Sequence, residues 1–178
     1  MISITLNATA FGITLKDANT SKLGKLMTHG EEKFVKQALV VHLKSVFQIL
    51  TNVIRFTSVD TGRLRGSWTP FFAKYGADRF YKKVMNQAAP GQETDPALND
   101  ADIDAGAALG EFEDRDFTTV IGTNVEYAEH VEKKTRAIAK AMYLGAEIYR
   151  KNFGMFFRGI EKIADIPDVK LEDDEGGI

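Results

Sequence analysis

Two stretches of the chain have the hydrophobic pattern of β-strands. In residues 2–7, Ile and Leu alternate with Ser, Thr and Asn, and this period of two is typical of a strand with one buried face. In residues 118–123, a run of β-branched residues is closed by a Gly/Asn turn signal. We predict that both stretches are strands of one small antiparallel sheet.

A helical pattern covers residues 29–56 and carries two apolar rows. Thr28-His29-Gly30-Glu31 has capping-box spacing, which predicts the start of the helix. A surface helix needs only one apolar stripe, so a second row predicts contact with a neighbouring subunit. The second row consists of Val40, Leu43, Phe47 and Ile54. We expect Leu43 and Phe47 to lie at that subunit interface.

His42 lies in the first apolar row of the same helix. No second His and no Cys is near it in the sequence. We therefore interpret it as a satisfied histidine of the core or of an interface, and not as a metal ligand.

A turn signal follows the long helix in Asp60-Thr61-Gly62. The Asp and Thr side chains can accept hydrogen bonds from nearby backbone N–H groups, and Gly tolerates a positive φ. We therefore expect Gly62 to be required by the backbone.

Two arginines flank one apolar residue directly after this turn. Leu64 lies between Arg63 and Arg65, and the aromatic run that follows predicts a strand over residues 66–73. One interpretation is a helix-to-strand connection with a buried leucine and solvated arginines. The other is that Arg63 and Arg65 contact a partner subunit or acids of the same chain.

The remaining pattern completes an α+β prediction. Apolar residues at helical spacing predict a second long helix over residues 136–164. We expect a single domain over residues 1–165, with a small antiparallel sheet packed against two long helices. Residues 166–178 then form an acidic flexible tail.

Charge is distributed unevenly along the chain. The net charge is −2, but residues 86–116 hold nine acids and one base, and residues 165–178 hold six acids and one base. The Pro-Gly and Asp-Pro pairs in the first of these segments predict a long acidic insertion loop. Such a distribution concerns surfaces and partners, and says little about the fold.

One spacing inside the acidic segment is similar to a calcium loop. Asp100, Asp102 and Asp104 alternate with other residues, and Glu111 stands at the twelfth position. The sixth position is Ala105, where the sharp turn of a calcium loop requires glycine. We favour a solvated acidic loop and predict no metal and no cofactor.

Several function classes find no support in the sequence. The chain contains no cysteine, so disulfides and thiolate metal sites are excluded. We find no signal peptide and no apolar run of the roughly 20 residues that a membrane span needs. Ser67 and His130 could belong to a catalytic triad, but no Gly-x-Ser-x-Gly motif surrounds a serine. We expect no enzymatic activity and no membrane partner.

Two motifs together resemble a known protein family. The first is Val-Asp-Thr-Gly-Arg-Leu-Arg-x-Ser, from Val59 to Ser67. The second is Val-Ile-Gly-Thr-Asn-Val-x-Tyr-Ala, from Val120 to Ala128, and it continues with Val131, Glu132 and Thr135. In this order, after a long helix, they resemble the neck or tail-completion family of long-tailed bacteriophages. The chain departs from the family in lacking a proline before the first motif, in the residues after Glu132, and in its longer acidic insertion.

The resemblance implies a structural role at the junction of the phage head and tail. It implies a homo-oligomeric ring, a hexamer by expectation, that joins the head connector to the tail. The motif residues that would serve this role are Asp60, Thr61, Gly62, Arg63, Leu64, Arg65, Tyr127 and Glu132. Alternatives are a tail terminator that caps the tail tube, or a nucleic-acid-binding structural protein. The expected location is the virion, after assembly in the cytoplasm of the bacterial host.

DNA passing through such a ring suggests a role for the acidic segment. An acidic wall repels the phosphate backbone and lets DNA slide without specific binding. We therefore expect Asp95, Asp100, Asp102 and Asp104 to face the lumen or an axial rim. The alternative is that the segment is a solvated loop on the outside.

Overall fold

A computed structural model describes residues 2–7, 20–58, 62–76, 83–94, 98–115 and 117–164. For residues 20–33 and 160–164 it describes the backbone alone. The elements in chain order are β1 (Ile2–Asn7), α1 (Thr20–Phe56), α2 (Arg63–Gly66), α3 (Pro70–Lys74), α4 (Asp100–Ala107), β2 (Gly110–Arg115), β3 (Thr118–Thr123), α5 (Ala128–Thr135) and α6 (Ala137–Ala164).

The sheet has three antiparallel strands in the order β1-β3-β2, which confirms the predicted α+β class. The central strand β3 pairs with β1 from Ile2 opposite Thr123 to Asn7 opposite Thr118. It pairs with β2 from Gly110 opposite Thr123 onwards. The two strands predicted at 2–7 and 118–123 are therefore confirmed, together with their antiparallel pairing.

The predicted third strand over residues 66–73 is wrong, because this stretch is helical. It covers the end of α2 and most of α3. The Thr69 hydroxyl donates a 2.7 Å hydrogen bond to the carbonyl of Gly66, which satisfies an acceptor at the end of α2. Pro70 is the first residue of α3. Proline is well tolerated at this position, because the N–H that it lacks would have no partner within the helix. The buried residues Trp68, Phe71 and Phe72 recur at helical spacing.

The real third strand, β2, comes from the acidic segment. Its burial alternates along Gly110–Arg115, with Phe112 turned inward and Glu111, Glu113 and Arg115 exposed. Charged outward residues are a common feature of edge strands, because they discourage further pairing. The segment over 86–116 is therefore not one long loop, since its described part contains α4 and β2.

Helix α1 begins at Thr20, nine residues earlier than predicted from the capping box. The backbone continues as helix through residues 28–31, so that spacing does not mark a helix end here. At 37 residues the helix is about 55 Å long. It is the longest element of the described chain.

Part of α1 is apolar enough to resemble a membrane span. Among the described residues, Phe34–Phe56 meets the requirement by length and composition, with a mean hydropathy of 1.3. This corrects the expectation that no such run exists. The core helix of a soluble protein meets the same requirement, and Val46, Ile49, Leu50 and Val53 are fully buried inside this fold.

Helices α1 and α6 pack along each other, and a buried polar network joins them to the sheet. The Nε2 atom of His42 lies 3.1 Å from Thr119 Oγ1 on β3, and its Nδ1 atom lies 2.9 Å from the hydroxyl of Tyr149 on α6. His42 is 0% exposed. A neutral imidazole can accept one of these bonds and donate the other, so His42 is satisfied in the core.

The burial of His42 disfavours its charged form. Desolvation lowers its pKa from 6.5 to about 4, although the charge of Asp114 acts in the opposite direction. Folded protein therefore binds a proton at His42 at a lower pH than unfolded protein does. Its contribution to stability is complete above pH 6.5 and is lost as the pH falls towards 4.

We predict that His42 causes part of the acid sensitivity of the fold. The free energy of unfolding should fall by on the order of 3 kcal/mol between about pH 6.5 and 4 through this group alone. Urea unfolding of wild type and His42→Gln over this range measures the effect, and the variant should show a flatter pH dependence. The exposed His130→Gln controls for loss of a histidine. Equal pH dependence in wild type and His42→Gln would contradict the assignment.

Candidate functional site

The two resemblance motifs meet in a small apolar cluster. Leu64 from the first motif is buried together with Val125 and Ala128 from the second. Ile2, Leu109 and Val131 pack around them and are partly buried. This cluster, which we call the motif junction, is separate from the main core between the sheet and the long helices. The structure thus brings Leu64 of the first motif together with Val125, Ala128 and Val131 of the second. Arg63, Arg65, Tyr127 and Glu132 lie outside this cluster, and Asp60 and Thr61 lie outside the described residues.

Gly62 has the backbone conformation that the turn signal predicted. Its φ is 96°, a region that side chains with a Cβ rarely adopt. A Cβ at this position would also lie 2.9 Å from Leu98 and 3.0 Å from Ile103. Gly62 is therefore a backbone requirement, as expected.

Arg65 does not contact a partner, which corrects one prediction for this residue. Its side chain is 0% exposed. Its Nε atom donates to the carbonyl of Thr57 at 3.0 Å, and its Nη1 atom donates to the carbonyls of Met85 at 2.5 Å and Gln87 at 2.6 Å. Arg65 therefore ties the end of α1 to the segment 83–94. Arg63, two residues before it, is exposed and remains available to a partner.

No carboxylate neutralises Arg65 among the described residues that bond to it. All three of its hydrogen bonds go to backbone carbonyls. Burial lowers the pKa of Arg65 to about 10, so the guanidinium stays charged at neutral pH. A buried charge of this kind is held in place by carbonyl dipoles, and removing it leaves those carbonyls without a donor.

Helices α2 and α4 touch through their backbones at two glycines. A Cβ on Gly66 would lie 2.3 Å from the carbonyl oxygen of Ile103, and a Cβ on Gly106 would lie 1.9 Å from that of Arg63. Real Cβ atoms do not approach backbone this closely. Glycine at both positions is what allows the acidic helix α4 to pack on the first motif.

The structure corrects the interpretation of Asp100, Asp102 and Asp104 as residues of a loop. Asp100, Asp102 and Asp104 lie on α4, whose N-terminus is capped by the Asn99 side chain accepting from the Ala101 N–H. A helix cannot wrap its carboxylates around one ion as a calcium loop does. In the described part of the chain, no group of three His, Asp or Glu side chains could hold a metal ion. Asp95 lies outside the described residues.

Glu132 of the second motif caps helix α6. Its two carboxylate oxygens accept hydrogen bonds from the backbone N–H groups of Ile138 at 2.9 Å and Ala139 at 3.2 Å. These are orphan donors of the first helical turn, where a negative charge also suits the helix dipole. Arg136 makes the corner between α5 and α6 with a φ of 53°. Tyr127, in contrast, is 41% exposed at the start of α5.

Ser67 is unsuited to the catalytic role that we considered for it. It is buried, and its hydroxyl donates a 2.8 Å hydrogen bond to the carbonyl of Leu64. His130 is exposed on α5. The serine therefore acts within the turn between α2 and α3.

Leu43 and Phe47 pack against the core of their own chain. The ring of Phe47 lies 5.1 Å from Phe71, 5.2 Å from Phe72 and 5.9 Å from Tyr75, measured between centroids. Leu43 and Phe47 are both partly buried there. These two residues thus have partners within their own chain, so the presence of a second apolar row does not by itself require a neighbouring subunit. Self-association itself stays a prediction.

Comparisons with known proteins gave no relatives. The chain matches no protein-family model, no curated protein and no solved structure. Its function must therefore be inferred from its own residues.

We predict that the glycine contact between α2 and α4 is essential for stability. Gly66→Ala and Gly106→Ala should each lower the free energy of unfolding by about 1–3 kcal/mol or more, because the helices must separate. Gly154→Ala and Gly159→Ala are matched controls on α6, where a Cβ meets nothing within 4 Å. These controls should be neutral or stabilising by up to about 1 kcal/mol. Equal thermal midpoints in the two pairs would contradict the contact.

We also predict opposite outcomes for the two motif arginines. Arg65→Ala should lower the free energy of unfolding by on the order of 3 kcal/mol, since three carbonyls lose their donor. Arg63→Ala, at the exposed position, should leave the midpoint of thermal unfolding unchanged. Circular dichroism melting curves of both variants provide the measurement. A stable Arg65→Ala protein would show that the carbonyls find other donors.

Proposed function

We propose that the chain is a non-enzymatic structural subunit of a ring at the head–tail junction of a long-tailed phage. In this role it joins the head connector to the tail and lets DNA pass. The observation that carries the proposal is the packing of Leu64 on Val125 and Ala128, which unites the two resemblance motifs in one cluster. The packing is what we expect if the two motifs form one unit of the fold.

The chemistry of the motif residues supports a structural role. Gly62 serves a turn, Arg65 binds three carbonyls, and Glu132 caps a helix. Each of these three residues has a structural role within its own chain. A surface that is fixed in this way can present exposed residues such as Arg63 and Tyr127 to a neighbour in a constant geometry.

Large exposed apolar side chains offer contacts for a ring. Val40 on α1 is 65% exposed and Tyr143 on α6 is 84% exposed. Val40 belongs to the second apolar row of α1, whose members Leu43 and Phe47 turn into the core. Single exposed apolar residues are normal on protein surfaces, so their role in assembly has to be tested directly.

The acidic helix α4 supports the passage of DNA in this proposal. Asp100 and Asp104 are exposed on α4, and the close contact with α2 gives them a defined place on the subunit. In the ring they would face the lumen or an axial rim, where like charge keeps DNA from binding. A ring structure in which Asp100, Asp102 and Asp104 all face the outer circumference would remove this part of the proposal.

We predict that the purified chain forms a monodisperse ring. Native mass spectrometry should give a single oligomer, and negative-stain electron microscopy should show closed rings with a central channel. Val40→Lys combined with Tyr143→Lys should yield a folded monomer, because lysine disfavours an apolar interface core.

Gln37→Lys combined with Ala139→Lys is the matched control for this double variant. It adds the same charge at exposed positions of the same two helices. The control should keep the ring, and all three proteins should melt at the same temperature. A wild-type chain that stays monomeric at every concentration would refute the proposed ring.

A further inference from the structure

An open groove lies between helices α1 and α6. Its volume is about 510 Å³. Lys44 and Gln48 line it from α1, and Ile148, Lys151 and Met155 line it from α6. The groove lies away from the motif junction, and no residue of the proposed motif site contributes to it.

The helices around the groove are strongly basic. Residues 34–58, which cover the second part of α1 and the two residues after it, contain no Asp or Glu. Residues 137–159 of α6 contain four bases and a single acid, Glu147. Within the described part of the chain, neither Lys44 nor Lys151 forms an ion pair. Two ammonium groups therefore line the groove without an ion-pair partner among the described residues.

Gln48 adds hydrogen-bond donors to the two lysines that line the groove. Asn152 donates to Ser45 Oγ at 3.0 Å and to Gln48 Oε1 at 2.9 Å. Gln48 Oε1 accepts one of these bonds, and the two N–H donors of its amide remain for a ligand. Ammonium and amide donors together match a carboxylate-rich segment.

We propose that the acidic segment Glu172-Asp173-Asp174-Glu175 of the same chain docks into this groove. These four consecutive carboxylates complement Lys44 and Lys151. A segment of the same chain also has a high effective concentration at a nearby site, which a free anion lacks. The acidic end of the chain would then cover the polar side of the α1–α6 pair.

The chain is long enough for this contact. Lys151 lies 13 residues before Ala164, the last residue of α6, which corresponds to about 20 Å along a helix. The eight residues from Ala164 to Glu172 can span up to about 26–29 Å when extended. Glu172 can therefore reach Lys151 after a reversal of direction, and Pro167 disfavours continuation of the helix.

The size and charge of the surroundings favour a short acidic peptide over a nucleic acid. DNA binding needs a row of phosphate contacts with little opposing charge. The groove offers two lysines, and the whole chain is net negative at −2. A short run of carboxylates uses both lysines and requires no extended basic surface.

Carbodiimide cross-linking of the full chain tests the proposal. The reagent joins a lysine amine to a carboxylate that already lies against it, and mass spectrometry of the digest identifies the pair. Residues 172–175 should be linked to Lys44 and Lys151 several-fold more often than to the exposed Lys134 and Lys140. In 1 M salt, where the screening length is about 3 Å, the preference should disappear.

A mixture of light and isotope-labelled protein distinguishes the same chain from a neighbour. Docking within one chain gives cross-linked peptides that are wholly light or wholly heavy. Mixed peptides at comparable yield would mean that the segment docks on another copy, and would overturn the proposal. Equal yields at Lys44, Lys151, Lys134 and Lys140 would overturn it as well.

A charge placed in the groove supplies a second test. Gln48→Glu keeps both lysines but adds a carboxylate, so the cross-links from residues 172–175 to Lys151 should decrease several-fold. Gln37→Glu is the matched control at an exposed position of the same helix. It should leave the yield unchanged. A yield that is equally high in both variants would show that the groove does not hold the segment.

Discussion

The contact between α2 and α4 is the constraint on which the arrangement of the motif site depends. Backbone meets backbone there, and Gly66 and Gly106 provide the necessary space. This contact places an acidic helix directly on the first motif. A third close approach lies at the start of β2, where a Cβ on Gly110 would lie 2.1 Å from the carbonyl oxygen of Ser67. The chain segment between residues 98 and 115 is thereby fixed on one side by glycines and on the other by its pairing with β3.

Hydrogen bonds from polar side chains also hold the helices and strands in place. Arg65 holds the end of α1 and the segment 83–94 through carbonyls, and Glu132 determines where α6 begins. His42 connects α1 with β3 and α6. Arg65, through Met85 and Gln87, and His42 join segments at least 20 residues apart in the chain, whereas Glu132 joins the consecutive helices α5 and α6.

The sequence was sufficient for those elements whose pattern is local. The strands at 2–7 and 118–123, the long helices and the positive φ of Gly62 follow from alternation, periodicity and turn chemistry. The aromatic content of residues 66–73 favours a strand, whereas Pro70 and the spacing of Trp68, Phe71 and Phe72 favour the helical structure that forms. Strand β2 has a single inward apolar residue, Phe112, so pairing with β3 creates it. The role of Arg65 depends on carbonyls 20 and 22 residues away, which no local pattern reveals.

The order of the strands has a consequence for how the chain folds during synthesis. Strand β1 is made first, but its partner is β3, and Asn7 bonds to Thr118 across 111 positions of sequence. The ribosome therefore releases a strand that must wait several seconds, at about 5–20 residues per second, before its neighbour exists. Helix α1 has local hydrogen bonds and can form meanwhile. Of the three strands, the first to be synthesised therefore waits longest for its partner, and during that time its backbone hydrogen-bonding groups lack the neighbour that they have in the fold.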